Sequence, residues 1–254
     1  MKSKIASFLY LTKLYIAAVP RLLWALCVQP FFSPRQTMKV LNEFLDAIDF
    51  SFPDHVLASR FIEEIFPCSS PPDIILSSSF CGSYPGGTNR MSELTCLAYL
   101  IRVLKPLSVL EIGTFRGRTT QILAANTGDS CHVWTMDLPI EQCSHPVGEL
   151  YRNTLNAERV TQLLGNTKTF DFAPYYKRMD FVWVDACHEY DFVLNDTEVA
   201  IKVCRAGGWI AWHDYRHTAF WSGVTKRLRE LSSDARLQNI SHVFGTSIVV
   251  AQVR

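Results

Sequence analysis

A chain of 254 residues is long enough for one large domain with an appendage and can bury an ample core. It carries 25 basic and 24 acidic residues, a net charge of +1 and no basic tract interleaved with aromatics, so it has no electrostatic footprint for a nucleic acid. Its eight cysteines are scattered without a C-x-x-C pair, which argues against a structural zinc framework and fits a reducing, cytoplasmic compartment.

The first stretch, Ile5 to Phe32, is largely apolar and aromatic, with Lys2 and Lys4 ahead of it and Lys13 and Arg21 within it. Its longest charge-free run, Leu22 to Pro34, is too short to cross a bilayer as a helix. Lys13 interrupts what would be the apolar core of a signal peptide, and Pro20 breaks the pattern. Two readings stand for residues 1–34. One is a helical arm that packs on the main domain or on a second copy in a homo-oligomer. The other is a basic-flanked amphipathic anchor on the inner membrane face. Residues 35–66 read as helix, with Val40, Leu41, Phe44, Leu45 and Ile48 at helical spacing, so the arm is assigned to 1–66. Residues 67–90 are rich in Ser, Pro and Gly and read as a loop, of a length that suits a lid or binding loop.

The main domain is assigned to residues 91–254. Ser92 is placed to cap a helix, Glu93 to Leu104, whose face Leu97, Leu100, Ile101 and Leu104 covers a sheet. Strands are expected at Ser108–Ile112, His132–Met136, Gln162–Leu164, Phe181–Val184 and Trp209–Ala211, alternating with helices. Gly207-Gly208 reads as the C-cap of a helix Tyr190–Cys204, and Ala219–Leu231 as the next helix. Leu237–Val243 and Ser247–Val253 lack an intervening helix, so they form an antiparallel pair. The pattern predicts an α/β, doubly wound, mostly parallel seven-stranded sheet with an antiparallel closing strand.

The segment Ser108 to Thr120 reads Ser-Val-Leu-Glu-Ile-Gly-Thr-Phe-Arg-Gly-Arg-Thr-Thr. A buried strand, a glycine turn and a helix start bring backbone N–H groups close to a ligand. Gly113 and Gly117 lie four apart, which is not the G-x-G-x-x-G spacing of a dinucleotide loop, and the absence of Lys after Gly117 excludes a P-loop. The acid Glu111 before the turn suits a ligand with a positive amino group and no phosphate, as in S-adenosylmethionine. Asp137, Asp171, Asp185 and Asp214 also fall at or just after strand ends, where an open parallel sheet binds ligands.

This segment resembles motif I of the class I S-adenosylmethionine-dependent methyltransferases. The resemblance continues through Val133 to Asp137, Phe181 to His188, Gly207 to Tyr215 and Phe244 to Ala251, and covers about residues 91–254. The D-x-x-H and H-D-Y signatures look most like the sugar and small-molecule O-methyltransferase branch. The resemblance implies cofactor contacts from Glu111, Gly113, Thr114, Gly117 and Thr119, with Asp137 on the ribose hydroxyls. It implies that Phe170 and Asp171 frame the adenine and that Asp185 faces the cofactor. A hydroxyl acceptor must lose its proton, which calls for a base, a metal or both. By resemblance, His188 is the base beside Asp185, and Asp185 and Asp214, with His213, are the ligands of a divalent cation such as Mg²⁺. Some relatives carry a second acid where this chain has His213, a departure that disfavours three-carboxylate coordination and favours a softer ion. Tyr190 and Tyr215 suit the apolar faces of a saccharide or phenol acceptor. The competing readings are a metal-independent N- or carboxyl-methyltransferase and a non-catalytic subunit that keeps the fold.

Overall fold

The computed structural model describes residues 54, 56–76, 91–216 and 222–254. The residues assigned to a membrane-interfacial or packing arm at 1–34, and most of the loop at 77–90, lie outside the described residues. Among the described residues no helix is long and apolar enough to cross a membrane.

The elements in chain order are β1 (Ser59–Arg60), α1 (Ile62–Ile65), α2 (Met91–Leu104), β2 (Ser108–Ile112), α3 (Arg118–Asn126) and β3 (His132–Asp137). They continue with α4 (Glu149–Arg152), β4 (Val160–Leu164), β5 (Met179–Val184), α5 (Tyr190–Val203) and β6 (Cys204–Trp212). The chain closes with α6 (Gly223–Glu230), β7 (Leu237–Val243) and β8 (Val249–Val253). The strands form one sheet in the order β1-β7-β8-β6-β5-β2-β3-β4. The pairs from β4 to β6 are parallel, and β8 runs antiparallel to both β6 and β7.

Two apolar layers follow from strand alternation, since successive side chains leave a strand on opposite faces. Leu110, Ile112, Val182, Val184 and Trp212 pack on one face with Val193 and Ala200 of α5 and Leu228 of α6. Val109, Phe181, Trp183 and Ala211 pack on the other with Leu94, Leu97 and Ile101 of α2 and Ile122 of α3. The central strands are therefore apolar at nearly every position, as strands covered on both faces must be.

Several expectations change. The sheet has eight strands, because Ser59–Arg60 pairs in parallel with His242–Val243 at its edge. The described end of the arm, 56–66, is thus part of the compact unit Phe52–Arg254 and is not one long helix. Phe66 is buried in the same layer as Leu94 and packs edge-on against Trp209, which moves the boundary drawn at residue 66 toward the N-terminus. Ser92 lies inside α2, which begins at Met91. Gly207-Gly208 does not cap α5: the helix ends at Val203, and the glycines lie inside β6 beside a register shift at Met179/Phe181. A β-carbon at Gly208 would come within 3.0 Å of the Asp180 carbonyl oxygen, so the glycine serves close strand approach.

Candidate active site

The order reverses at β2. The chain leaves β2 for β3 on one side and returns after β4 to β5 on the other, which opens a crevice at the carboxyl ends of β2 and β5. Gly113 follows β2 with φ +106, and its N–H donates to Met136 O at 2.9 Å. Asp185 N–H donates to Ile112 O at 2.8 Å, so the turns after β2 and β5 lie against each other. Above them is a cavity of about 360 Å³ whose walls include Gly113, Asp137, Asn166, Asp185 and Asp196. That volume is in the range of small-molecule and cofactor sites.

Of the cofactor residues expected from sequence, Gly113, Asp137 and Asp185 reach this cavity together. Asp137 Oδ2 accepts from Phe115 N–H at 2.6 Å and Oδ1 from Leu138 N–H at 2.8 Å. The others stand elsewhere. Glu111 is fully buried behind the wall, where its Oε2 accepts from the hydroxyls of Thr120 and Thr135 at 2.5 Å each. Burial, opposed in part by these two bonds, pushes its carboxyl up to about 8. Thr114 is held in the same interior network by Thr135 and by Gln162 Nε2 at 2.9 Å. Gly117 starts α3 with φ +86, where a β-carbon would meet Tyr151 Cδ1 at 2.7 Å, and Thr119 is buried in the first turn. Phe170 packs on Phe172 and Tyr175, and Asp171 is exposed, accepting from Ala173 N–H at 2.9 Å to start the next turn.

The wall on the Phe170 side is instead Gly165-Asn166-Thr167 with Phe192 and Asp196 of α5. Burial pushes the Asp196 carboxyl up, against hydrogen bonds from Thr167 at 2.6 Å and Asn195 at 3.2 Å. Sequence reasoning missed Asp196 because a helix that packs on a sheet does not reveal which end of its face meets the ligand crevice. A carboxylate four residues after the apolar Phe192 was the available signal.

A second cluster lies at the ends of β5 and β6. His188 Nε2 is 2.9 Å from Asp214 Oδ2, and this hydrogen bond holds the imidazole above its ordinary value. Asp214 has φ +62, and its backbone N–H faces Ser247 Oγ at 3.3 Å. Burial works against ionisation of Asp214, yet His188 and His213 hold its carboxyl far below the usual carboxylate range. One ligand atom each from Asp185, His188 and Asp214 lies within 4.8 Å of the other two. His213, expected among the metal ligands, is turned inward. Its Nε2 is 3.2 Å from Glu93 Oε2, and its Nδ1 lies 3.4 Å from both Asp185 Oδ1 and Asp214 Oδ1. Burial favours the neutral ring, but the negative charge of Asp185 and Asp214 outweighs it and raises His213 well above its ordinary value.

Glu93 was not singled out from sequence. It sits four residues before Leu97 on the apolar face of α2, the one acid on that face, and is 4% exposed. Its Oε1 accepts from Ser247 N–H at 2.9 Å and from the Ser247 hydroxyl at 2.6 Å. Tyr215, expected in an acceptor pocket, is fully buried and donates its hydroxyl to Asp54. Tyr190 caps Glu230 at 2.9 Å on the surface, so neither tyrosine is part of the cavity wall.

A doubly wound sheet with one reversed strand, a glycine turn after its first central strand and an acid ending the next one are the features of an α/β fold that takes its ligand at the carboxyl ends of its strands. Residues 110–215 match the family model described as a methyltransferase domain. The structure superposes on the S-adenosylhomocysteine-bound methyltransferase PaMTH1 of Podospora anserina with a TM-score of 0.54, at 13% identity over 87% of this chain and 96% of that one. It superposes on the O-methyltransferase TomG of Streptomyces achromogenes, in complex with S-adenosylmethionine, with a TM-score of 0.52 at 18% identity over 71% and 91%. At such identities the likeness is one of fold. No curated protein matches the chain. Over residues 110–215 the chain is thus similar to a methyltransferase domain, set in a fold shared with methyltransferases that bind S-adenosylmethionine or S-adenosylhomocysteine.

Proposed function

We propose that the protein transfers the methyl group of S-adenosylmethionine to a hydroxyl of a sugar or small natural product. The observation that carries this reading is the His188–Asp214 pair, 2.9 Å long, in the turns that follow β5 and β6 beside the cavity. In this reading the turn at Gly113 lets the backbone approach the cofactor, Asp137 accepts from its ribose hydroxyls, and Asp185 faces its amino acid end. The acceptor oxygen attacks the methyl carbon in line, the carbon–sulfur bond breaks, and the sulfonium leaves as a neutral thioether. The acceptor's proton goes to His188, which Asp214 orients and whose charged form it stabilises. Positioning supplies much of the acceleration of such a displacement.

Asp185, His188 and Asp214 form a donor set of two carboxylates and an imidazole, which fits a divalent cation such as Mg²⁺ or a somewhat softer ion. Asp185 and Asp214 would hold it, and a bound ion there lowers the pKa of an acceptor hydroxyl. His213 supports a second reading without metal, because its ring already lies 3.4 Å from both carboxylates.

The test is calorimetric titration with S-adenosylhomocysteine, with and without Mg²⁺, followed by transfer of labelled methyl from S-adenosylmethionine to a panel of sugars and phenols. Micromolar binding, and transfer reduced about 10²-fold or more by His188→Ala, is the expected result. Transfer that survives His188→Ala, Asp214→Asn and a chelator would move the acceptor to nitrogen or a carboxylate. Absence of binding would leave a non-catalytic fold.

A further inference from the structure

At one end of the cavity three unlike donors converge. Asp137 ends β3, Cys143 follows the short turn Ile140–Gln142, and His145 stands two residues further. Cys143 Sγ lies 3.8 Å from Asp137 Oδ1, and His145 Nε2 lies 3.9 Å from Asp137 Oδ2. One ligand atom from each residue is within 4.8 Å of the other two. A tetrahedral zinc site with bonds of about 2.1–2.3 Å separates its ligand atoms by roughly 3.3–3.8 Å. Modest side-chain movement closes that difference.

One of the three donors is also unspent. His145 Nε2 is buried and has no hydrogen-bond partner, although it points toward the Asp137 carboxylate. Its ring is backed by Phe115, with centroids 4.3 Å apart. The loop that carries Cys143 and His145 is tied at both ends, by Cys143 N–H to Ile140 O at 3.1 Å and by Gly148 N–H to Phe115 O at 2.8 Å. The arrangement is therefore held before any ion arrives. A thiolate, an imidazole and a carboxylate together select Zn²⁺ over Mg²⁺. Cys143 and His145 are two residues apart in the chain, and the third donor comes from the end of a strand.

We infer that Asp137, Cys143 and His145 form a binding site for a thiophilic divalent cation such as Zn²⁺, and that its occupation keeps the cofactor's ribose off Asp137. The exclusion rests on the reading of Asp137 as the ribose ligand; the metal site does not. Coordination releases the Cys143 thiol proton to solvent. The enzyme would then be silenced by a rise in free zinc and restored by its removal.

The experiment titrates the full chain with Zn²⁺ under a non-thiol reductant and excess Mg²⁺, which occupies any oxygen-donor site first. S-adenosylhomocysteine is titrated in parallel with and without Zn²⁺. The variants are Cys143→Ser and His145→Gln, with Asp214→Asn as a control on the other cluster. The expected result is one Zn²⁺ bound by wild type and Asp214→Asn, at least tenfold weaker in each of the other two. Zn²⁺ should raise the apparent Kd for S-adenosylhomocysteine at least tenfold in wild type and leave it unchanged in Cys143→Ser. Binding of S-adenosylhomocysteine by Cys143→Ser without metal verifies that the variant is folded. Zn²⁺ affinity unaffected by both substitutions would overturn the site. Site-dependent Zn²⁺ binding with unchanged cofactor affinity would overturn the exclusion. Failure of every form to bind S-adenosylhomocysteine would instead strike the cofactor reading and leave the metal site standing.

Discussion

Gly113 and the peptide between Asp185 and Ala186 are packed so closely that a β-carbon on Gly113 would overlap the Asp185 carbonyl and come within 2.9 Å of Ala186 N. The φ of +106 adds a second barrier to any side chain. Relief requires the turns after β2 and β5 to part, and these turns form one wall of the cavity. Gly113→Ala should therefore lower stability by about 1–3 kcal/mol or more and weaken S-adenosylhomocysteine binding at least tenfold. Urea denaturation and calorimetry read the two effects separately. A variant with wild-type values in both would show that the turn is not a fixed part of the site.

Asp137 has both carboxylate oxygens engaged by backbone N–H groups, yet each oxygen can accept a second hydrogen bond, and the residue lines the cavity. Asp137→Ala should weaken S-adenosylhomocysteine binding at least tenfold, the loss expected when charge-assisted hydrogen bonds go (roughly 1.5–3 kcal/mol). Asp137→Asn, which retains one acceptor oxygen, should lose less. Calorimetric titration of both variants checks the order. Equal and unchanged affinities would remove Asp137 from the cofactor site.

The strands at Ser108–Ile112 and Leu237–Val243 were legible to the residue, because a buried run ending in a glycine turn and an alternating run flanked by turns have few alternatives. Gly113, Asp137 and Asp185 lie on one cavity because strand ends converge in a parallel sheet. The position of Glu111 behind that cavity was not legible, for a physical reason. In strand β2 every residue from Val109 to Ile112 is buried, and its face is fixed by alternation, so its carboxylate turns into the threonine network. Glu93 and Asp54 were invisible because each meets its partner, His213 or Tyr215, only after more than a hundred residues of chain have folded.

Glu111 gives the fold a pH signature. Its carboxyl is raised from 4.5 to about 8 in the folded protein, chiefly by burial. Below 4.5 both states carry the proton and folding is not penalised. Between those values the unfolded chain releases the proton and the folded one retains it, so stability falls as pH rises, by an order of a few kcal/mol at most. Glu111→Gln cannot ionise and should lose less stability between pH 5 and pH 8 than wild type. Denaturation at the two pH values measures this; parallel losses in the two proteins would refute a protonated Glu111.

Glu93 and His213 form a pair with side chains 5% and 2% exposed. Removing one partner of such a pair leaves the other uncompensated, at a cost of about 3–5 kcal/mol. Glu93→Ala should be destabilised by that order, and Glu93→Gln by less, since the amide oxygen still accepts from Ser247. A midpoint shift in urea at constant slope is the readout. A near-neutral Glu93→Ala would mean that His213 is held by Asp185 and Asp214 alone.

His188 should titrate above 6.5, because its hydrogen bond to Asp214 favours the charged ring. The stability this gives is present below 6.5 and is lost as pH rises through the raised value, since only the folded ring keeps its proton there. For a base the consequence runs the other way: His188 accepts a proton only once it is neutral, so methyl transfer should rise with pH through that same value. Asp214→Asn removes the charge and weakens the bond, and should bring the His188 titration back toward 6.5. Nuclear magnetic resonance of the imidazole protons, without added metal, follows this directly in wild type and variant. If the His188 titration does not move in Asp214→Asn, Asp214 neither charges nor orients the ring, and the proposed base would have to work without it.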